Sequence, residues 1–118
     1  MAIPTMMRGV TAPVPGGPDV LEVGEHPTPA PGASEILVKI AAAGVNRPDV
    51  QQRAGNYPPP KGVTPILGLE IAGTVVAVGR EARRFAVGDT VCALVQGGGY
   101  AEYVAVPEAN ALPVPASA

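Results

Sequence analysis

Alternating apolar positions and frequent turn residues predict a chain of short β-strands. The strongest candidate strand covers residues 35–42, where Ile36, Val38 and Ile40 share one face and Leu37 lies with Lys39 and Ala41 on the other. The pattern predicts further strands over residues 20–23, 71–78, 90–95 and 100–106. Residues 9–17 read as turns, and residues 26–32 contain too many prolines for a helix or a central strand. Many short strands favour a barrel or a sandwich.

One short helix is predicted between the first two strong strands. It begins near Arg47, with Pro48 suited to the first helical turn and Asp49 placed at the positive end of the helix dipole. Gly55 ends it as a left-handed cap. Asp49 and Arg53 are spaced i, i+4 in the favourable order, which predicts an ion pair on the helix surface.

Composition and charge narrow the class of protein. The 118 residues suffice for one domain, and 15 Gly with 15 Pro exclude a helix bundle or a coiled coil. The net charge is −2 and aromatic residues are scarce, which argues against nucleic acid as a partner. No apolar run approaches the roughly 20 residues of a membrane span, and the start of the chain is not typical of a secretory signal. We therefore expect a cytoplasmic protein that binds neither nucleic acid nor membrane.

Several common catalytic motifs are absent from the sequence. It contains no G-x-G-x-x-G dinucleotide fingerprint, no G-x-S-x-G and no G-x-x-x-x-G-K. His26 is the single histidine and Cys92 the single cysteine, so we assign neither a function. A Ser-His-Asp triad, a two-histidine metal site and a cysteine-rich zinc site are all disfavoured.

Five sequence blocks, in order, carry a family resemblance. They occupy residues 44–58 (GVNRPDVQQRAGNYP), 65–76 (PILGLEIAGTVV), 78–79 (VG), 87–91 (VGDTV) and 98–104 (GGYAEYV). The series resembles the N-terminal, GroES-like catalytic domain of the medium-chain dehydrogenase/reductase superfamily. It is most similar to the zinc-independent NADPH:quinone oxidoreductases, the zeta-crystallin-like branch. The resemblance runs from about Met7 to the last residue and implies a mainly β, partly open barrel with one or two short helices.

The resemblance also implies that the chain holds no zinc. Zinc enzymes of this superfamily have Cys at the position of Asn46 and His at the position of Leu69, and neither Asn nor Leu binds zinc usefully. Their structural zinc loop needs four cysteines, whereas Cys92 stands alone in this chain. We interpret the adjacent Glu70 as a buried, hydrogen-bonded structural carboxylate.

The candidate site residues also follow from the resemblance. Without a Lewis acid, hydrogen-bond donors must stabilise the charge that develops on a reduced carbonyl, and Asn46 and Tyr57 can donate. The resemblance places both at the cleft where the nicotinamide meets the substrate, with Asp49 nearby, and we take all three as candidate catalytic residues. Asn46 and Arg47 are the candidate contacts to NADPH. The plainer interpretations are a turn residue for Asn46, a ring packed on prolines for Tyr57 and a solvated side chain for Arg47.

We therefore expect residues 1–118 to be the front part of an oxidoreductase that passes hydride from NADPH to a quinone or an enone. The resemblance implies a following Rossmann domain and a C-terminal segment that returns to complete this one. Without them we expect the chain to be inactive and to expose strand edges, and we predict a homodimer. An enoyl-thioester reductase, a non-catalytic GroES-like binding module and a lens-crystallin-like structural role remain alternatives.

Overall fold

The computed structural model describes residues 2–55 and 62–115, which fold into a mainly β domain. Within these ranges there are seven strands, one α-helix and two short 3-10 turns. The strands are β1 (Met6–Thr11), β2 (Glu22–Pro27), β3 (Glu35–Ala43), β4 (Glu70–Val78), β5 (Thr90–Leu94), β6 (Tyr103–Pro107) and β7 (Ala111–Pro113). The helix α1 is Arg47–Ala54, and the 3-10 turns are Pro18–Val20 and Glu108–Asn110.

The strands form two antiparallel sheets. β1 and β2 pair as a two-stranded sheet, and the other five strands form a curled sheet in the order β6-β3-β4-β5-β7. The β3–β4 register shifts twice, between Leu37 and Val38 and between Ile40 and Ala42. Such bulges bend a strand and increase its twist, which suits a sheet that curls into a partly open barrel. The predicted fold class is confirmed.

The curled sheet is covered on both faces, and this explains why β3 is apolar at consecutive positions. Ile36 and Val38 pack in the larger core cluster with Ile71, Val75 and Val91. Leu37 points to the opposite face, where it packs in a second cluster with residues from β1, β6 and the segment before β4, namely Met7, Tyr103 and Ile66. The predicted division of β3 into two faces is confirmed.

The N-terminal region is where prediction and structure differ most. Residues 9–11 were predicted as part of a turn-rich segment, but they belong to β1, which pairs with β2 from Met6↔Pro27 to Thr11↔Glu22. The strand predicted over residues 20–23 is wrong in its start, because Pro18–Val20 is a 3-10 turn and β2 begins at Glu22. Both errors arise where pairing between distant segments, and not local apolar alternation, determines the strand.

The helix agrees with its prediction at both ends. α1 begins at Arg47 with Pro48 in its first turn, and Gly55 caps it with a φ of 87°. A residue with a side chain adopts that backbone conformation only with strain, so the glycine fixes where the helix stops. Among the residues that the structure describes, no helix is long and apolar enough to span a membrane.

Candidate functional site

The site is built where β3 ends and β4 begins. The pairing of these strands places Gly44 against Glu70, and the Gly44 N–H donates to the Glu70 carbonyl at 2.9 Å. Two residues later, Asn46 caps α1 with an extended backbone, and its side-chain Nδ2 donates to Glu70 Oε1 at 2.8 Å. Both side chains lie at the exposed surface. The strand ladder therefore brings together two polar groups that are 24 residues apart in the chain.

Asp49 is the buried acid of this site. It is 4% exposed and is the single buried charged residue in the described part of the chain. Its Oδ2 accepts from the Asn46 backbone N–H at 2.8 Å, while its own N–H donates to the Asn46 carbonyl at 3.1 Å. This pairing fixes the first turn of α1, and with it the place of Asn46.

Tyr100 supplies the second partner of Asp49. Its hydroxyl lies 2.5 Å from Asp49 Oδ2 and 3.2 Å from the Gly44 carbonyl oxygen. Burial, and then the hydrogen bond to Asp49, raise the pKa of Tyr100 well above its ordinary value near 10, so the hydroxyl stays protonated and donates. Sequence reasoning assigned Tyr100 no role, although the residue belongs to the block GGYAEYV.

A close backbone contact, lined by glycines, places Tyr100 beside Asp49. The Tyr100 N–H donates to the Leu67 carbonyl, and the Gly99 N–H donates to the Gly68 carbonyl. Gly68 has a φ of 103°, and a Cβ there would lie 2.5 Å from the Tyr100 nitrogen, so only glycine fits. The glycine run at residues 97–99 was the available signal for a close backbone approach that carries the next side chain into the site.

Two expectations about this region are wrong. The ion pair between Asp49 and Arg53 is not formed: Asp49 turns inward to Tyr100, and Arg53 Nε donates to the Gly16 carbonyl at 3.0 Å. Glu70 is hydrogen-bonded as expected but is exposed and not buried. In both cases the tertiary partners outweigh what helix spacing or sequence position suggested.

The remaining candidate residues fall into two groups. Arg47 is the first residue of α1 and is exposed beside Asn46. Tyr57 lies outside the described residues. Among the described residues, no group of three or more His, Cys, Asp or Glu side chains is arranged to hold a metal ion.

The arrangement of β-sheet, helix and site defines a GroES-like domain, and comparison with known proteins names the family. Residues 32–116 match the alcohol dehydrogenase GroES-like domain family. The chain belongs to this family, and with it to the medium-chain dehydrogenase/reductase superfamily, as the resemblance in its sequence predicted.

Two of the curated relatives are oxidoreductases by name. A quinone oxidoreductase from Pseudomonas aeruginosa is 47% identical over 76 residues, which is 64% of this chain and 23% of that protein. A trans-enoyl reductase from Penicillium oxalicum is 39% identical over 109 residues, covering 83% of this chain and 28% of the relative. A mycobacterial protein whose structure was solved with NADPH superposes with a TM-score of 0.83 at 36% identity, over 95% of this chain and 35% of that one.

The match covers only part of each relative. The chain spans about a quarter to a third of the length of the curated relatives it matches.

Proposed function

We propose that this chain forms the substrate side of an oxidoreductase that passes hydride from NADPH to a quinone or another activated carbonyl or alkene, without zinc. The observation that carries the proposal is the Asn46 amide, which is exposed at the start of α1 and is held there by Glu70. An oriented amide donor is the kind of group that stabilises negative charge on a reacting oxygen. The quinone oxidoreductase and the NADPH-bound structure among its relatives support the choice of substrate and cofactor.

The donor set does not suit zinc. The Asn46 amide could reach a cation only through its Oδ1, because the nitrogen lone pair of an amide is delocalised, and a neutral amide oxygen is not among the Cys, His and carboxylate ligands that zinc prefers. Leu69, at the second position where the zinc enzymes carry a ligand, has an aliphatic side chain. No step of the proposed reaction uses a metal. Metal analysis of the dialysed protein should find no stoichiometric zinc, and one tightly held equivalent would contradict this part of the proposal.

Asn46 and its neighbour Arg47 suit the nicotinamide end of NADPH. Asn46 and Arg47 are adjacent and exposed, so the Arg47 guanidinium can donate to a carboxamide oxygen or a phosphate and the Asn46 Oδ1 can accept from the carboxamide NH₂. The sequence of this chain has no glycine-rich dinucleotide fingerprint, so these contacts alone would bind NADPH weakly. NADPH, when bound, supplies the hydride.

Each candidate residue has a separate proposed task. Asn46 donates to the substrate oxygen as that oxygen gains negative charge, and Tyr57 donates a hydrogen bond or a proton to it. Asp49 is buried, so we propose that it positions Asn46 through the Asn46 backbone N–H and does not touch the substrate. Arg47 contacts the cofactor.

Kinetics of the full-length gene product that contains this chain test the proposal. Loss of one oxyanion donor typically lowers turnover by about 10²–10³. We expect Tyr57→Phe to lower kcat more for an enone than for a quinone, because an electron-poor quinone needs less help. Asn46→Ala should also raise the KM for NADPH. Tyr103→Phe is the matched control, since Tyr103 packs in the second core cluster and has no proposed role in the reaction. Unchanged kcat for the enone in both site variants would show that these residues only shape the pocket.

A second candidate is the reduction of an enoyl thioester. The trans-enoyl reductase among the relatives favours it, and the same amide donor would serve a thioester carbonyl. Comparing turnover of a quinone with that of an enoyl thioester separates the two. A non-catalytic binding module would turn over neither substrate.

A further inference from the structure

The contact between Asn46 and Glu70 joins the helix cap to the first residue of β4. Asn46 Nδ2 lies 2.8 Å from Glu70 Oε1, and the backbone on either side is held by the Gly44 to Glu70 hydrogen bond of 2.9 Å. Asn46 is therefore held twice. The Asp49 carboxylate accepts from its backbone N–H, and the Glu70 carboxylate accepts from its side chain.

The chemistry of the two groups determines how the amide is oriented. An ionised carboxylate only accepts hydrogen bonds, whereas an amide side chain has both a donor end and an acceptor end. Glu70 therefore selects the NH₂ end of Asn46 and leaves the second amide proton available. Without this carboxylate, rotation about the last side-chain bond could present the oxygen in place of the nitrogen.

Gly44 provides an independent sign that the pair is closely fitted. A Cβ at Gly44 would lie 2.8 Å from Glu70 Oε1 and 3.3 Å from Asn46 Nδ2. The backbone of Gly44 does not have a positive φ, so the need for glycine here is a need for space. The chain leaves room for the carboxylate to reach the amide.

The Asn46–Glu70 pair lies at the surface, so removing the contact should change the free energy of unfolding very little. Exposed polar contacts between charged or polar side chains contribute at most about 1 kcal/mol to folding. The fold is held by the apolar clusters and strand ladders, and it does not depend on this contact.

We propose that Glu70 is the positioning residue for Asn46: its carboxylate fixes the amide with a proton directed at the substrate oxygen. The role in turnover rests on the proposed function, whereas the orientation of the amide does not. In this proposal Glu70 contacts Asn46 and not the reacting atoms. Its substitution should therefore change the orientation of the Asn46 amide, and it should lower activity only through that change.

Nuclear magnetic resonance of the Asn46 side-chain amide tests the orientation on this chain. We expect one amide proton to be shifted and slow to exchange in the wild type, and this signature to be lost in Glu70→Ala and weakened in Gly44→Ala. Matched controls are Glu25→Gln, another exposed glutamate, and Gly24→Ala, where a Cβ meets only His26 Nε2 at 3.8 Å. Identical Asn46 amide signals in the wild type and in Glu70→Ala would overturn the proposal.

Kinetics of the full-length gene product test the consequence. We expect Glu70→Ala to lower kcat for an enone by about tenfold, the effect of losing roughly one hydrogen bond. Adding Asn46→Ala to it should lower kcat no further than Asn46→Ala alone. Full activity of Glu70→Ala beside an impaired Asn46→Ala would also overturn the proposal. If Asn46→Ala itself is fully active, the proposed function fails at this site, and the amide signals alone decide the role of Glu70.

Discussion

At the scale of single residues, the contact between Tyr100 and Asp49 holds the site to the rest of the domain. It joins the first turn of α1 to the chain that follows the glycine run at residues 97–99. When a buried carboxylate loses a hydrogen-bond donor, the free-energy penalty of removing that carboxylate from water remains. The hydroxyl of Tyr100 is therefore more important to stability than its size suggests.

Tyr100→Phe should destabilise the domain by about 1–3 kcal/mol, because it leaves the buried Asp49 carboxylate with a single donor among the described residues. The midpoint of urea unfolding measures this change. Tyr103→Phe is the control, since the Tyr103 hydroxyl makes no hydrogen bond to the residues that the structure describes. Equal midpoints for the two variants would show that the hydroxyl of Tyr100 contributes nothing.

The same tyrosine predicts how stability depends on alkaline pH. The pKa of Tyr100 is raised in the folded state, so above about pH 10 the unfolded chain ionises there first and the folded state loses stability. Below that pH both states keep the proton and the contribution is fully present. The gap in unfolding free energy between the wild type and Tyr100→Phe should thus narrow as the pH rises from about 9 to about 11. Parallel curves for the two proteins would contradict the raised pKa.

The hydrogen-bond partners of individual residues were harder to predict than the positions of those residues in the helix and strands. Asp49 was correctly placed in the first turn of α1, but helix spacing suggested Arg53 as its partner. The partner is instead Tyr100, 51 residues further along, because its hydroxyl donates to the Asp49 carboxylate in a buried position. A sequence shows which residues are near along one helix, and it does not show which strand or loop covers that helix.

At the scale of elements, boundaries were predictable wherever a residue type determines the backbone. Pro48 and Gly55 mark the ends of α1, and apolar runs mark β3 and β4. β1 was missed because its sequence, MMRGVT, has no regular alternation, and its partner β2 begins eleven residues after it ends. Strands that depend on distant pairing leave a weaker local signal.

Gly73 is the position where one methyl group should disrupt the β3–β4 pairing. A Cβ there would lie 2.1 Å from the Lys39 carbonyl oxygen, closer than any contact can be. We expect Gly73→Ala to cost about 3 kcal/mol or more, at the upper end of overpacking. Gly24→Ala is the matched control, and the free energy of urea unfolding is the measurement. A Gly73→Ala protein as stable as Gly24→Ala would show that β4 does not run so close to β3.

At the scale of the whole molecule, the order of five short motifs carried more information than any one of them. In the part of the chain that the structure describes, the blocks contain α1, the start and end of β4, the turn into β5 and the start of β6, so their order follows the path of the chain. The family and the partly open barrel could therefore be predicted, whereas the contacts between blocks, such as Asn46 with Glu70, could not.

The sheet also leaves surface that a second copy of the chain could cover. In the described residues, the outer edges of β6 and β7 have no strand partner. Beside β7, Leu94 and Leu112 are 70% and 62% exposed, and Leu112 pairs with Cys92 in the neighbouring strand. Apolar side chains next to an unpaired edge favour association between identical chains.

We therefore expect the chain to self-associate as its concentration rises, and Leu112→Lys to weaken that association by about tenfold or more, the effect of no longer burying one leucine. Val23→Lys is the matched control, because Val23 is similarly exposed, at 69%, but lies on the two-stranded sheet. Sedimentation velocity over a range of concentrations gives the mass of each protein. If Leu112→Lys and Val23→Lys associate alike, the contact lies elsewhere, and if the wild type stays monomeric throughout, the exposed edge does not pair. If the wild type and Val23→Lys form dimers and Leu112→Lys does not, the contact lies at β7. That is the side of the sheet where Glu70 of β4 pairs with Leu94 of β5.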